Sequence, residues 1–372
     1  GDNNKINIIK EIKFPHSLGL LYSAFTYNAG FKVNSGEYKL MGLAPYGKPI
    51  YKDKLFNLIH FTDNGFELNL DYFLHHKEKI FFVNDKGQFE YKNIYSNKIY
   101  DLLGDERKPN DPITQKHKDL AKSIQSVYED VFFHVLNNLH SKYNSNNLSL
   151  SGGCAMNSVA NGKITKKTKF KDVYISPNPG DAGGSVGSAA YFLKNDLDFK
   201  ISVNQYEYLG KDYSNEEIKK IIQSFNSDKK YFYNYMDFNE LFPIVCKKLI
   251  DEKVIGWFQG KMEWGPRALG NRSILADSRN PKIKEIINSK IKRRESFRPF
   301  APSILKEDLP IWFDMKTDSP YMLLVSKINS KKKIYMSEEQ KKLFGIDKLK
   351  IRRSEIPAVT HIDYSARVQT ID

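Results

Sequence analysis

The protein has 372 residues, more than one hydrophobic core normally serves, and its 40% hydrophobic residues suffice for two domains. A formal net charge of +14 points to polyanionic partners: nucleic acid, an anionic membrane surface or phosphorylated substrates. No run approaches the roughly 18 apolar residues of a membrane span, the opening GDNNKINIIK lacks a signal peptide's apolar centre, and Cys154 and Cys246 make neither a disulfide framework nor a zinc site, so no membrane is expected and the expected compartment is the reducing cytoplasm.

Taken in chain order, the first patterned segment is SGEYKLMGLAPYG (35–47), where Glu37 follows Gly36. It reads as a surface turn or as one wall of a nucleotide cleft. Residues 51–112 show little pattern. Residues 113–142 then place Leu120, Ile124, Val127, Val131, Val135 and Leu139 at helical spacing, predicting a long helix with a buried stripe. NNLSLSGG predicts a strand ending in two glycines, and CAMNSVANGKI a helix after it. The glycine pair is a tight turn, or a place where backbone N–H groups meet a phosphate. FKDVYISPNPGDAGG and SVGSAAYFL repeat the strand–loop–helix unit. There Asp181 caps the next helix or ligates a divalent metal. Two such units in succession predict an α/β domain with its loops at the carboxyl ends of the strands. Glu37, Gly152, Gly153, Asn157 and Asp181 together outline a nucleotide cleft.

A polar connection near 195–213 suggests a boundary, giving domains over 1–204 and 205–372. SNEEIKKIIQSF has capping-box spacing between Ser214 and Glu217, FNELFPIVCKKLIDEK reads as a helix and VIGWF as a strand. Half of the net charge falls within residues 261–298, where eleven Lys and Arg face four acidic residues. The segment GKMEWGPRALGNRSILADSRNP (260–281) combines conformationally special Gly and Pro with arginines, as a shaped anion-binding loop would. Arg267, Arg272, Arg294 and Arg298 lie near kinks or aromatics, which suits bidentate phosphate binding; salt bridges to Glu263 or Glu295 are the structural alternative. Lys282, Lys284 and Lys290 read as the solvated face of a basic helix over 281–294. Residues 321–328 read as a strand and the Lys-rich 329–350 as an exposed excursion.

The ordered blocks GEYKLMGLAPYG, LSGGCAMNSVANGKI, PNPGDAGGSVGSA, MEWGPRALGNRSILADSR, KRRESFRPFAPS and AVTHIDYSARVQT resemble the O-carbamoyltransferase family that decorates antibiotics and nodulation-type oligosaccharides. The resemblance implies an α/β protein in which a partial actin-like domain, similar to threonylcarbamoyl transferases, precedes a YrdC-like domain. It implies that the second domain joins carbamoyl phosphate to ATP, giving carbamoyl-adenylate and pyrophosphate, and that the first passes the carbamoyl group to a hydroxyl of a sugar or glycosylated small molecule. Carried over, Glu37, Gly152, Gly153 and Asn157 would hold the nucleotide, Asp181 would ligate iron or another divalent metal, and Arg267, Arg272, Lys292, Arg294 and Arg298 would line the activation pocket, with Mg2+ assisting. Two features depart from the family pattern. No HxxxH pair occurs, only the adjacent His75–His76, and the NTSFN-type segment is missing. The chain is therefore expected to be truncated in both domains and incomplete by itself. A nucleic-acid-associated protein and a tRNA-modifying threonylcarbamoyl transferase relative are the competing readings; the kinked loops suit a pocket better than a nucleic-acid track, and GPRALGNRS argues against the latter.

Overall fold

Ser17 accepts a hydrogen bond from the Leu20 amide and starts helix α1 (Leu18–Asn28), which buries Leu21, Tyr22, Ala24 and Phe25. In the computed structural model, residues 6–63, 65–92, 94–199, 207–225, 232–343 and 345–372 are described, and they form a mixed α/β architecture. Glu37 occupies the first turn of α2 (Glu37–Leu43), and α3 (Lys52–Leu55) leads into an antiparallel hairpin of β1 (Ile59–Thr62) and β2 (Gly65–Leu68). A second hairpin pairs β3 (Phe81–Val83) with β4 (Phe89–Tyr91), before α4 (Lys98–Leu103). The weakly patterned stretch 51–112 is thus ordered, and it gives Leu55, Leu58, Ile94, Tyr95 and Ile99 to the core. Its elements are too short to show a period.

The long predicted helix is α5 (Gln115–Tyr143). The amide of its N-cap, Thr114, donates to His117 Nδ1 at 3.0 Å, completing a capping box. Leu120, Ile124, Val127 and Val131 are buried, but Val135 is half-buried and Leu139 is 38% exposed. The expected row from Leu120 to Leu139 drifts about 100° around the axis over its length. Tyr128, Phe132, Phe133 and Leu136 therefore complete the inward face. α1, α2 and α3 pack on this helix, and their residues form the largest core.

β5 (Asn147–Leu150) and β6 (Asp172–Ile175) pair in parallel, as the two strand–loop–helix units require. The connection is more broken than expected: α6 (Ser158–Asn161) and α7 (Ile164–Lys167) are separate short turns, because Gly162 interrupts them. A Cβ at Gly162 would stand 1.9 Å from the Val325 carbonyl oxygen, so this glycine lets α6 touch the later strand β10 directly. α8 (Gly184–Asn195) follows β6. The expected boundary at 204/205 lies outside the described residues.

Beyond it, α9 (Asn215–Phe225) starts at the predicted box, with Ser214 and Glu217 exchanging hydrogen bonds at 2.8 and 3.2 Å. α10 (Phe238–Ile250) leads into β7 (Ile255–Phe258), antiparallel to β8 (Arg272–Leu275). The basic helix expected over 281–294 is shorter. α11 (Ile283–Ile286) passes into a π-helical turn over Ile287–Ile291, and Arg293 takes φ +47°. β9 (Ser303–Leu305), α12 (Leu309–Trp312), β10 (Leu324–Lys327), α13 (Glu338–Lys342) and β11 (Ser365–Ile371) complete the chain; β11 lies between antiparallel β10 and parallel β9. Leu309, Phe313, Ile356, Val359, Ala366 and Val368 form a second core, while Leu323 and Leu324 join Ala155 and Ile175 in a third that binds the two halves together.

Candidate anion cleft between the two halves

The glycine loops after β5 and β6 are knitted together by the Gly152 amide, which donates to Pro179 O at 2.6 Å. Gly152 has φ +89°, and no atom lies within 4 Å of where a Cβ would stand on Gly152 or Gly153. The WGPR loop rests on the second of these turns. Gly265, at φ +137°, comes so close that a Cβ would stand 2.7 Å from Pro177 O. Trp264 packs near Gly183. Asp181 is exposed in a short turn, and its side chain makes no capping hydrogen bond. Among the described residues no group of three or more His, Cys, Asp and Glu is gathered as metal ligands would be. His75 is buried, its Nε2 2.9 Å from the Pro15 carbonyl. Among the described residues, Asp181 therefore stands without further His, Cys, Asp or Glu gathered about it as ligands.

Glu37 and Asn157 are both engaged within the chain. Glu37 accepts from Ser23 Oγ at 2.9 Å and from the amides of Asn34 and Gly36 at 3.0 and 3.1 Å, which fixes the start of α2. Asn157 Oδ1 accepts from the Ala160 amide at 3.1 Å, capping α6, and the Asn157 and Gln125 side-chain amides exchange hydrogen bonds at 3.1 and 3.2 Å. Tyr22 donates to the same Gln125 at 2.8 Å; burial first, then Glu129 and Glu37, push its phenol well above its usual range. Both side chains are thus satisfied within the chain, whereas no atom crowds the place of a Cβ on Gly152 or Gly153.

The arginine-bearing loop is organised by one buried carboxylate. Glu263 Oε1 accepts from the amides of Leu269, Asn271 and Arg272 at 2.8, 2.7 and 3.1 Å. Burial works to raise its pKa, but these amides hold it below the usual range. The loop presents its two arginines differently. Arg272 stacks 3.4 Å from the Phe258 ring centroid and donates to the carbonyls of Gln259, Asn271, Gly260 and Lys211 at 2.7 to 3.3 Å. Its fork is filled by the chain. Arg267 instead has a buried Nε with no partner; burial and then Arg298 lower its pKa, with Tyr38 opposing.

Arg298 lies 4.2 Å from the Tyr38 ring centroid, donates to Tyr38 Oη at 3.3 Å and pairs with Glu295 at 3.5 Å. Glu295 also holds Lys39 at 2.8 Å, so α2 of the first half clasps the arginine segment of the second. Arg294 donates from Nε to Asn288 at 2.7 Å and sits over Phe300; burial and Arg298 lower its pKa against Tyr38 and Glu295. Tyr38, Lys39, Ser289, Arg293, Arg294, Glu295 and Arg298 line a cavity of about 680 Å³. Lys292 is exposed and does not line it.

Sequence reading missed Arg367 and misplaced Lys284. Arg367, in β11, has a buried, unpartnered Nε, and burial followed by Arg267, Arg294 and Arg298 drives its pKa far down. The signal was strand alternation: Ala366 and Val368 enter the core, so Arg367 faces the other way. Lys284, expected on a solvated helix face, is only partly exposed, and its pKa is pushed down to about 8 by burial, then by Arg353 and Arg294. The solvated helix face is thus corrected: α11 is a single turn, and its Ile283 packs with Ile287 of the following π-helical turn on Ala358, which leaves Lys284 only partly exposed. His361 joins them, its Nε2 buried and unpartnered and its pKa lowered to about 4 by burial, Lys284, Arg367 and Lys327, against Asp363.

The chain is a mixed α/β protein whose second half carries a cluster of closely held arginines. Two family models match it: Carbamoyltransferase N-terminus over residues 1–190 and Carbamoyltransferase C-terminus over residues 246–372. The chain belongs to the carbamoyltransferase family. It is 45% identical over its whole length to the uncharacterized protein sll1178 of Synechocystis, covering 59% of that protein. It is 31% identical over 98% of its length to nodulation protein NolO of Bradyrhizobium diazoefficiens, again covering 59%, and 32% identical over all of its length to nodulation protein NolNO of Sinorhizobium fredii, covering 48%. The chain thus spans about half to three fifths of the length of these relatives. No helix among the described residues is long and apolar enough to cross a membrane.

Proposed function

We propose that this chain forms the activating cleft of a cytoplasmic carbamoyltransferase in which carbamoyl phosphate meets ATP, and from which the carbamoyl group passes to a hydroxyl of a sugar or glycosylated small molecule. The observation that carries the reading is the convergence of Arg267, Arg294, Arg298 and Arg367 beside a cavity in which Glu295 is the one acidic lining residue among those described. Family membership supports carbamoyl transfer, and the nodulation relatives fit a glycan or small-molecule acceptor. The actin-like assignment of 1–204 and the YrdC-like assignment of 205–372 rest on the sequence resemblance.

Two polyanions repel, so fixed guanidinium groups lower the barrier most where charge builds on the departing pyrophosphate. In the balanced reaction water takes the phosphate of carbamoyl phosphate, a carbamate oxygen attacks the α-phosphorus of ATP, and the bond to pyrophosphate breaks. The acceptor hydroxyl then attacks the carbamoyl carbon and AMP leaves. Within this scheme Arg294, Arg298 and Lys39 hold phosphate groups, Arg267 and Arg367 set the field beneath them, and Gly152 and Gly153 offer open backbone to the nucleotide. Lys292 would meet substrate only at the cleft's outer edge, and Arg272 shapes the loop. No step is assigned to a metal.

The test is pyrophosphate release from ATP by the complete protein with and without carbamoyl phosphate. Release that depends on carbamoyl phosphate is expected; equal release in both cases overturns the reading.

A further inference from the structure

Ser365, Arg367 and Gln369 alternate along β11 and share the face opposite Ala366 and Val368, which enter the second core. Both ends of that face are engaged. Gln369 donates from Nε2 to Leu269 O at 2.9 Å, in the loop that carries Arg267, and Ser365 Oγ lies 3.0 Å from His361 Nδ1. Arg367 stands between them with its Nε buried and without a partner. The 361–365 turn is built around the imidazole: the Ser365 carbonyl accepts from the His361 amide at 2.7 Å, the His361 carbonyl accepts from the Tyr364 amide at 3.0 Å, and Tyr364 takes φ +62°, a left-handed conformation costly for a bulky aromatic residue. Ser365 Oγ donates to Asp363 Oδ1 at 2.6 Å, and Lys327, opposite Ser365 in the β10–β11 register, donates to Asp363 Oδ2 at 2.8 Å. Burial works to raise the Asp363 pKa, but Lys327 holds it far below the usual carboxylate range, so this carboxylate only accepts. A hydroxyl has one proton, and Ser365 gives it to Asp363. Ser365 Oγ can then only accept from His361, which fixes the imidazole proton on Nδ1 and leaves a bare lone pair on Nε2. That Nε2 is buried and has no partner. One acceptor and one donor are thus left unmatched beside the same face of β11, each costly unless a ligand supplies the missing bond.

We infer that His361 Nε2 and Arg367 Nε recognise a carboxamide group, the imidazole accepting from its NH2 while the guanidinium donates to its carbonyl oxygen. The inference deepens the function proposed above and rests on it for bringing a carbamoyl group to this part of the molecule. Phosphate groups present acceptors, which arginines satisfy and a bare imidazole lone pair repels; an NH2 needs an acceptor, which no guanidinium offers. Glu263 is already held by backbone amides, and Glu295 by Lys39 and Arg298. His361 is therefore a specificity-determining residue that receives the NH2 end of carbamoyl phosphate and leaves the phosphate to the arginines that Arg367 joins. Ser365 and Asp363 are positioning residues that keep the lone pair on Nε2.

The probes are carbamoyl phosphate and acetyl phosphate, which carries a methyl in place of the NH2, titrated calorimetrically into the complete protein without ATP. The unmodified protein should bind carbamoyl phosphate roughly ten- to a hundredfold more tightly. His361→Phe should erase that preference and Ser365→Ala should reduce it, each by weakening carbamoyl phosphate and sparing acetyl phosphate. With isotope-labelled histidine, the magnetic resonance signal of His361 Nε2 in the unmodified protein should be that of an unprotonated nitrogen, and it should shift with carbamoyl phosphate but not with inorganic phosphate, a measurement that needs no variant to fold. Equal affinities for the two acyl phosphates, a preference that survives His361→Phe, or a His361 protonated on Nε2 would overturn the inference. Loss of the preference in His361→Phe, in a protein that never releases pyrophosphate, would instead remove the activating reading and leave the carboxamide site standing.

Discussion

Charge counts alone do not separate a ligand-binding arginine from a structural one; the partners of the guanidinium do. Arg272 meets four carbonyls and an aromatic face, so Arg272→Lys should lose several of those bonds and cost about 1–3 kcal/mol of stability, read as a lower unfolding midpoint, with phosphate affinity preserved. Arg298 meets Tyr38 and Glu295 with much of its fork still free for a ligand, and Arg298→Lys keeps the charge while losing the stacked fork. The proposed carbamoyl-phosphate-dependent release of pyrophosphate by the complete protein should then fall on the order of tenfold or more, with the melting temperature nearly unchanged. Lys284 gives the reverse sign in stability. The unfolded chain keeps the lysine proton to about 10.5, whereas the folded chain releases it near 8. Between those values the unfolded state binds more protons, so stability attributable to this group rises with pH across that window, and below about pH 8 the charged ammonium is a standing cost. Lys284→Met should accordingly raise the melting temperature at pH 7, by about 2 °C for roughly 1 kcal/mol, and flatten the pH dependence between 8 and 10.5. A melting temperature lowered by this substitution would mean that the ammonium has a stabilising partner.

At the scale of elements, what was legible followed periodicity and length. Helix α5 showed itself through Leu120, Ile124, Val127 and Val131, and the parallel β5–β6 pair through two strand–glycine–helix units, because both patterns are local. The hairpins between 59 and 91 were hidden because strands of three or four residues carry too little alternation to stand out. α11 was misread because a single helical turn running into a π turn does not keep the face that a regular helix over 281–294 would have. Arg367 joins Arg267, Arg294 and Arg298 from far along the chain, and their convergence is a property of packing. The two halves also meet where α6 approaches β10 at Gly162. Gly162→Ala would drive a methyl into the Val325 carbonyl, a backbone atom that cannot swing aside, so this change should destabilise the protein by more than 2 kcal/mol on the scale of about 1–3 kcal/mol for overpacking. Gly153→Ala, where no atom lies within 4 Å, supplies the control and should melt within about 0.5 kcal/mol of the unmodified protein.

For the molecule as a whole, the net charge of +14 is not a uniform coat. Most surface lysines face water or pair with carboxylates, as Lys98 does with Asp71 and Lys163 with Glu129, and contribute little to a cleft. Arg267, Arg294, Arg298 and Arg367 are drawn from segments spread over about a hundred residues, so folding itself concentrates the repulsion. Lys39 and Glu295 extend that arrangement across the two halves, since one ion pair at 2.8 Å links α2 to the arginine segment. An anion that enters the cleft should therefore stabilise the native state far beyond its effect on ionic strength. At a free pyrophosphate concentration a hundredfold above its dissociation constant, mass action alone supplies about 2.7 kcal/mol to the folded state. Differential scanning calorimetry of the complete protein should show a melting temperature that climbs with pyrophosphate and moves much less with chloride at matched ionic strength, because chloride screens exposed charges but cannot bridge several guanidinium groups at once. Equal shifts with the two salts would mean that these cations act as independent, screened charges and that the cleft does not grip phosphate.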